Sequence, residues 1–441
     1  MAMDITDFLV DKYETEQYDY KVLIYGNYTY RKNLEADSLI EVLRRVIPYI
    51  SKKWKVHFTI LIPEFVKSIA FDNVEQRIYE LPTYINQMRT HFDSVEFMKH
   101  IDWRRNDWDI IYSHLPEHTN QIANSICNNS NIIPKIIGYS HWFEVPENSP
   151  YLKTMLDANL NGILQMEECG VNSQWLKDLV LEKAKETYNQ IVIDKLDKII
   201  QPHYLGVDRV NPRSTYKDKT VIFNHRDAGY TGWEWFVKCV DEIWETRKDF
   251  KVYTTLAQID RPWNKKVDLT SRDEYMDFLS EIKFGVGAFQ TYSAWSISTT
   301  DGLSVGVPYL LPNKLCYPEM VSNDYPYLYD NRNEFISKFN EMLDETKQYD
   351  TTQIAKDMLW DARIDKWFNN WDTVFEPERI MAEVDGLIKI KQFIKQSKFA
   401  TKKDILEYMN WGVKIKWTPY RNGLRLCTNI KFTKNGYEWI D

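Results

Sequence analysis

The chain has 441 residues, a net charge of −8 at pH 7 and an aromatic fraction of 15%. This length allows two core-forming domains and an appendage. No run approaches the roughly eighteen apolar residues of a membrane span, and the acidic N-terminal segment is unlike a signal peptide. The five cysteines are scattered without a Cys-x-x-Cys pair, which argues against a disulfide framework or structural zinc. We therefore expect a cytoplasmic protein without a membrane partner.

The first half of the chain alternates apolar runs with amphipathic or polar stretches. The runs predict strands at residues 20–26, 56–62, 108–113, 136–140, 162–165, 170–173 and 198–202. A helical period covers residues 37–49, whereas the polar region that ends near Arg105 shows no clear pattern. Strands that alternate with helices indicate a parallel sheet covered on both faces.

A second series of strands begins after residue 210. The pattern predicts strands at 220–225, 250–255, 284–288 and 308–311, and a Trp-rich helical stretch at 357–385. This restart divides the α/β part of the chain into two domains, residues 1–210 and residues 211–385.

Residues 386–441 differ from the rest in charge. Twelve Lys and Arg against four Asp and Glu give this module a charge of +8, which leaves −16 for residues 1–385. The pattern predicts helices at 387–396, 402–411 and 419–427, with Thr401 and Asp404 capping the second, and a hairpin at 430–439. This order resembles a winged helix, and its charge predicts a polyanionic partner.

The segment at residues 272–321 is predicted to form a helix, a buried strand, a second helix and a short strand. Asp301 opens an Asp-Gly-x-x-x-Gly-Val-Pro step between that second helix and the next strand. The segment resembles the nucleotide-sugar half of retaining, family-4-like GT-B glycosyltransferases. The resemblance implies two Rossmann-like domains that face a cleft, with a C-terminal helix that crosses back to the first. It also implies that Asp301 binds the ribose hydroxyls of the donor, a role that suits a carboxylate at this edge of a parallel sheet.

The entry to the second domain, VIFNHRDAGYTGWEWF, resembles the strand, loop and helix that hold the diphosphate in these enzymes. Arg226 matches the diphosphate-binding arginine and Gly232 the glycine before the helix, but the usual lysine is Thr231. Lys314 and Lys266 are candidates to replace its charge.

The paired acidic motif of the family matches only in part. In SAWSISTTD the first acid is replaced by Ser293 and the turn glycine by Ser296. Backbone N–H groups at the predicted helix start are still expected to bind phosphate. The predicted donor-binding residues are Arg226, Gly232, Ser293, Trp295, Ser296, Ile297, Asp301 and Lys314.

His141, in GYSHWFEVPEN, resembles the strand-end histidine of family-4-like enzymes that act on tRNA queuosine. We expect His141 and Arg226 to be the catalytic residues, with His114 and Glu117 as secondary candidates. Asn172 and Ser173 are interpreted as a helix cap. No Asp-x-Asp motif follows a predicted strand and no His/Cys cluster has ligand spacing, so we expect no metal and no cofactor beside the nucleotide sugar, which is expected to be UDP-linked.

The basic module directs the choice of acceptor. Its predicted nucleic-acid contacts are Lys402, Lys403, Arg421, Arg425, Lys431 and Lys434. In architecture the chain resembles phage enzymes that glycosylate hydroxymethylated pyrimidines, which implies double-stranded DNA with modified bases as partner and the host cytoplasm as location. A tRNA, polysaccharide or glycolipid acceptor remains open, as does a non-catalytic nucleic-acid- or protein-binding role on a degenerate GT-B core.

Overall fold

The structure is a computed structural model. It describes residues 20–28, 38–66, 71, 73–85, 87–101, 108–129, 134–147, 153–213, 215–367, 374, 377–410, 424, 429–433 and 436–440. The chain divides into two compact units. The first unit comprises Met1–Tyr139, Asn161–Glu168 and Asn370–Asp441, and the second unit comprises Ser140–Leu160 and Cys169–Asn369.

The first sheet has seven strands in the order β3-β2-β1-β4-β5-β6-β7. They are β1 Tyr20–Tyr25, β2 Val56–Pro63, β3 Val74–Tyr79, β4 Ile110–Ser113, β5 Lys135–Ser140, β6 Glu168–Val171 and β7 Ile200–Pro202. Every pair with a described register is parallel. Strands β1 and β4 are buried along almost their whole length, as expected for parallel strands covered on both faces.

Six helices accompany these strands in the described ranges. They are α1 Ser38–Lys53, α2 Ser94–Lys99, α3 Pro116–Asn129, α4 Lys153–Ile163, α5 Gln174–Ala184 and α6 Gln190–Ile199. The Ser173 hydroxyl accepts a hydrogen bond from the Leu176 amide at the start of α5, so its predicted capping role is confirmed.

The second sheet has the order β10-β9-β8-β11-β12-β13, and all its pairs are parallel. Its strands are β8 Lys217–Phe223, β9 Lys251–Thr254, β10 Asn264–Lys266, β11 Ile282–Val286, β12 Tyr309–Pro312 and β13 Leu328–Tyr329. Its helices are α7 Trp233–Thr246, α8 Arg272–Ser280, α9 Ile297–Ser304, α10 Tyr317–Val321, α11 Arg332–Asp344, α12 Thr352–Asp357 and α13 Trp360–Trp367. Both large sheets therefore show the doubly wound order. In each, strands are added first on one side of the first strand of the series and then on its other side.

The C-terminal region adds helices α14 Pro377–Ser397 and α15 Lys402–Tyr408 and a three-stranded antiparallel sheet. The strands are β14 Phe399–Ala400, β15 Ile430–Phe432 and β16 Tyr437–Trp439, in the order β14-β16-β15. The capping box between Thr401 and Asp404 is confirmed, as is the hairpin. The predicted helix at 419–427 lies outside the described residues except for Leu424.

Two sequence predictions fail in the first half. Residues 162–165 are not a strand, since Gly162 lies in α4. A Cβ atom added to Gly162 would lie 1.7 Å from the carbonyl oxygen of Pro116, so only glycine fits there. Strand β3 was not predicted because it is an edge strand with a largely polar, partly exposed surface. Four-residue apolar runs and polar edge strands both lack a decisive period.

Candidate functional site

The candidate site lies at the carboxyl edge of the second sheet, where β8 and β11 are neighbours. The chain leaves β8 through Asn224, His225 and Arg226, and leaves β11 through Gly287, Ala288 and Phe289. In open α/β sheets, ligands bind in the crevice beyond the strand ends at such a reversal of strand order.

Gly232 brings the loop after β8 against the end of β11. It has φ of +70°, and an ideal Cβ at this position would lie 1.9 Å from the carbonyl oxygen of Ala288. Only glycine combines this backbone angle with so close an approach. The glycine that the sequence places before a helix therefore starts α7 and holds the two strand ends together.

Thr231, which stands where a lysine is usual, is a buried part of the loop. Its hydroxyl lies 2.7 Å from the carbonyl oxygens of both Arg226 and Ala228. It therefore stabilises the turn that presents Arg226. The Arg226 side chain is exposed, and its guanidinium forms no ion pair with any described residue, so it can bind an anion.

The segment from Ser293 to Ile297 leads into α9. The Ser296 hydroxyl accepts a hydrogen bond from the Thr299 amide, while the amides of Ile297 and Ser298 have no hydrogen-bond acceptor in the described part of the chain. These two N–H groups stand at the positive end of the helix dipole. Ser293 is buried, and its hydroxyl lies 3.5 Å from the Cys316 sulfur.

Asp301 lies inside α9 and is only 3% exposed. Arg272, the first residue of α8, donates to both carboxylate oxygens, with Nη1–Oδ2 and Nη2–Oδ1 distances of 2.6 Å. Burial raises the pKa of the Asp301 carboxyl, and the guanidinium offsets part of that rise. Each carboxylate oxygen still has lone pairs that could accept from ribose hydroxyls.

Lys314 follows β12, and its ammonium donates to the Gln290 side-chain oxygen at 3.2 Å. Burial lowers the pKa of Lys314. Gln290 in turn donates to the Ala288 carbonyl at 2.9 Å, so Lys314 is connected to the same strand end as Gly232. The structure thus brings together Arg226, Gly232 and Lys314, and places Ser293 to Ile297 and Asp301 on the next loop and helix.

His141 belongs to the second unit and follows β5. Its Nδ1 lies 3.2 Å from the side-chain nitrogen of Asn172, a donor, so neutral His141 carries its proton on Nε2. The next residue, Trp142, packs edge-on against Tyr230 in the loop after β8 and against Tyr292 beside Ser293, with ring centroids 5.7 and 4.9 Å apart. His141 therefore directly precedes Trp142, whose side chain contacts both predicted donor loops.

Asn172 was interpreted as a helix cap, and that part of the prediction is wrong. Its side chain is buried and contacts the His141 ring, while Ser173 is the N-cap of α5. A pairing across 31 residues leaves no mark in the sequence.

Solved structures with the same architecture are numerous. HepE from Anabaena, in a complex with UDP and glucose, superposes with a TM-score of 0.57 at 9% identity, over 80% of this chain and all of that one. Sucrose-phosphate synthase from Thermosynechococcus elongatus gives 0.56 at 11% identity, over 86% and 98%. The lipopolysaccharide outer core galactosyltransferase WaaB gives 0.54 at 11% identity, over 79% and 98%. The chain has the GT-B fold.

Other comparisons add nothing to this assignment. No family model and no curated protein matches the sequence. The GtfA/B complex matches over 60% of this chain and 57% of that one, with a TM-score of 0.46. The GT-B fold is therefore established by similarity to the solved structures with higher TM-scores.

The secondary candidates His114 and Glu117 lie in the first unit. His114 is buried, with ring contacts to Tyr112 and Tyr139, and Glu117 is buried in an ion pair with Arg89 at 2.6 Å. Glu117 thus has a cationic partner of its own in this part of the GT-B fold.

The basic module is described only in part. Lys402, Lys403 and Lys431 are exposed, on α15 and β15. Arg421, Arg425 and Lys434 lie outside the described residues. Over the described ranges, no group of three or more His, Cys, Asp or Glu side chains could hold a metal ion. None of the described helices is long and apolar enough to cross a membrane.

Proposed function

We propose that the protein is a glycosyltransferase that takes a sugar from a nucleotide diphosphate, expected to be UDP, and transfers it to an acceptor hydroxyl. The observation that carries this proposal is the arrangement at the edge of the second sheet. An arginine without an ion-pair partner among the described residues (Arg226), two amides without an acceptor there (Ile297 and Ser298) and a buried carboxylate (Asp301) lie on adjacent loops and one helix. These are the groups that a diphosphate and a ribose require.

In the reaction, the bond between the anomeric carbon and the diphosphate oxygen breaks, and its electron pair stays with the nucleoside diphosphate. The acceptor oxygen forms the new bond to that carbon, and its proton passes to an oxygen of the departing diphosphate. Arg226 and the α9 amides stabilise the charge that develops on the departing diphosphate. His141 donates from Nε2 to the donor sugar beside the reacting carbon. We propose retention of configuration and no metal requirement.

The HepE complexes with UDP, with UDP and glucose and with UDP-glucose support UDP as the nucleotide, because they have the same fold. The acceptor that we propose is a hydroxymethylated pyrimidine in double-stranded DNA. It is supported by the +8 charge of residues 386–441 and by exposed lysines on α15 and β15. A polysaccharide or glycolipid acceptor is the rival, since WaaB is a lipopolysaccharide galactosyltransferase.

The deciding experiment supplies UDP- and GDP-sugars with unmodified, hydroxymethylcytosine-containing and hydroxymethyluracil-containing DNA, and analyses the digested nucleosides by mass spectrometry. A hexose or pentose mass gain on one modified nucleoside supports the whole proposal. Slow donor hydrolysis without a mass gain on any DNA would support the glycosyltransferase activity and exclude the DNA acceptor. In that case tRNA, glycan and lipid acceptors would be tested next. If the protein neither transfers a sugar nor hydrolyses the donor, the non-catalytic binding role is the one that remains.

The contribution of the basic module is tested with the Lys402→Gln, Lys403→Gln, Lys431→Gln triple variant. DNA affinity should fall and lose part of its salt dependence, because each lysine that neutralises a phosphate releases about one counterion. Donor hydrolysis should be unchanged. Equal DNA affinity in the variant and the wild type would assign the module another partner.

A further inference from the structure

Helix α13 places Arg363 beside two aromatic rings that contact each other. Its guanidinium carbon lies 5.1 Å from the Tyr204 ring centroid and 5.3 Å from that of Trp295, and the two centroids are 5.4 Å apart. The Nε group donates to the Asp357 carbonyl at 3.1 Å, which leaves both Nη groups available. All these residues belong to the second unit.

Arg363 is a half-buried cation, and Asp357 is a carboxylate whose charge acts on it from beyond ion-pair distance. Among the described residues, no carboxylate forms an ion pair with it, and burial lowers the pKa of its guanidinium to about 10. Glu319 is the carboxylate attached to this cluster, since it accepts a hydrogen bond from the Tyr204 hydroxyl at 2.9 Å. It also accepts from the amides of Gln174 and Trp175, at 2.8 and 2.6 Å, so its charge is directed to the start of α5.

A second unused donor lies beside Arg363. The indole nitrogen of Trp295 is buried and has no acceptor in the described structure. Trp295 directly precedes Ser296, the N-cap of α9, so the ring that stacks on Arg363 belongs to the loop that leads to the free amides of Ile297 and Ser298. A half-buried guanidinium with both Nη groups available and a buried indole N–H without an acceptor in the described structure point to an anionic ligand.

The loop after β8 lacks one of its usual charges. Thr231 occupies the lysine position and uses its hydroxyl within the loop, so Arg226 is the one cation of that segment near the strand end. Lys314 lies at the same strand end but donates to Gln290. A departing diphosphate carries more than one negative charge, so a further cation would add to its stabilisation.

We propose that Arg363 binds the diphosphate of the nucleotide sugar and supplies the positive charge that Thr231 cannot. This inference rests on the proposed function and adds a residue from the C-terminal part of the fold to the donor site. The two contacting rings lie on one side of the guanidinium and limit its hydration, which strengthens its hydrogen bonds to phosphate oxygens. During transfer, Arg363 stabilises the electron pair left on the nucleoside diphosphate.

The test compares the affinities of UDP, UMP and uridine for the wild type, Arg363→Gln, Arg363→Lys and Lys366→Gln by calorimetry. Lys366 is an exposed cation on the same helix and provides the matched control. Arg363→Gln should weaken UDP binding about 10- to 100-fold, the loss of a charged hydrogen bond, and leave uridine binding unchanged. The UDP affinity of Arg363→Lys should lie between those of the wild type and Arg363→Gln. The UDP affinity of Lys366→Gln should match that of the wild type.

Two results would overturn the inference while leaving the proposed function intact. One is wild-type UDP affinity in Arg363→Gln. The other is an equal loss of UDP and uridine affinity, which would mean that Arg363 only supports the packing of Tyr204 and Trp295. If the wild-type protein binds no UDP, the proposed function and this inference fail together.

Discussion

Arg272 and Asp301 form a bidentate ion pair in which each guanidinium Nη donates to a different carboxylate oxygen at 2.6 Å. The Asp301 side chain is 5% exposed and that of Arg272 is 58% exposed, so the acid is buried while its partner reaches solvent. The carboxylate predicted to bind ribose is thus oriented by an arginine 29 residues earlier in the chain.

Arg272→Gln should destabilise the protein by about 1–3 kcal/mol, because the buried Asp301 carboxylate loses its charged partner. The exposure of Arg272 keeps the value below that of a fully buried pair. Urea unfolding checks the value. The double variant Arg272→Gln, Asp301→Asn should recover part of the loss, and Arg209→Gln, which breaks an exposed pair with Asp273, should change stability little. If the loss in unfolding free energy of the double variant equals the sum of the losses of the two single variants, Arg272 and Asp301 are not coupled.

Gly232→Ala should prevent normal assembly of the donor loop. The new Cβ would meet the Ala288 carbonyl oxygen at 1.9 Å, and the φ of +70° is itself unfavourable for alanine by about 1 kcal/mol. We expect a lower melting temperature and loss of UDP binding. Gly229→Ala, three residues earlier, is the matched control, since its Cβ has nothing within 4 Å. Equal behaviour of the two variants would show that the contact with Ala288 is unimportant.

Local features of the fold were predictable, and contacts between distant residues were not. The Thr401–Asp404 capping box and the glycine that starts α7 depend on neighbours within a few residues, so the sequence contains all the information. The Arg272–Asp301 and His141–Asn172 pairs join residues 29 and 31 positions apart. Such pairs depend on how helices and strands pack, which no periodicity encodes.

His225 should make stability fall with acidification. It is buried against Phe223 and Phe289, and burial lowers the pKa of its ring from 6.5 to about 4. Because the folded pKa lies below the unfolded one, this stabilisation is complete above pH 6.5 and is lost as the pH falls toward 4. At pH 5 the loss amounts to about 2 kcal/mol relative to pH 8. Urea unfolding of the wild type and His225→Gln at both pH values measures it.

The variant His225→Gln should be less stable at pH 8 but should show a shallower decline toward pH 5. His118, whose pKa burial also lowers to about 4, is present in both proteins and therefore cancels in the comparison. Parallel stability curves for the two proteins would show that His225 is protonated as easily in the folded as in the unfolded state.

Asn172→Asp should change the pH dependence of sugar transfer. In the wild type, the Asn172 amide donates to His141 Nδ1 at 3.2 Å and leaves the ring proton on Nε2. A carboxylate in that position accepts instead, so it favours protonation of Nδ1 and stabilises the charged ring. The acidic limb of the activity profile should therefore move to higher pH. The profile of kcat/KM against pH measures this shift, and Asn172→Ala should reduce the rate without raising the titration point. An unshifted profile in Asn172→Asp, with full activity, would remove His141 from the reacting centre and leave the Arg226 and Asp301 donor site to account for catalysis.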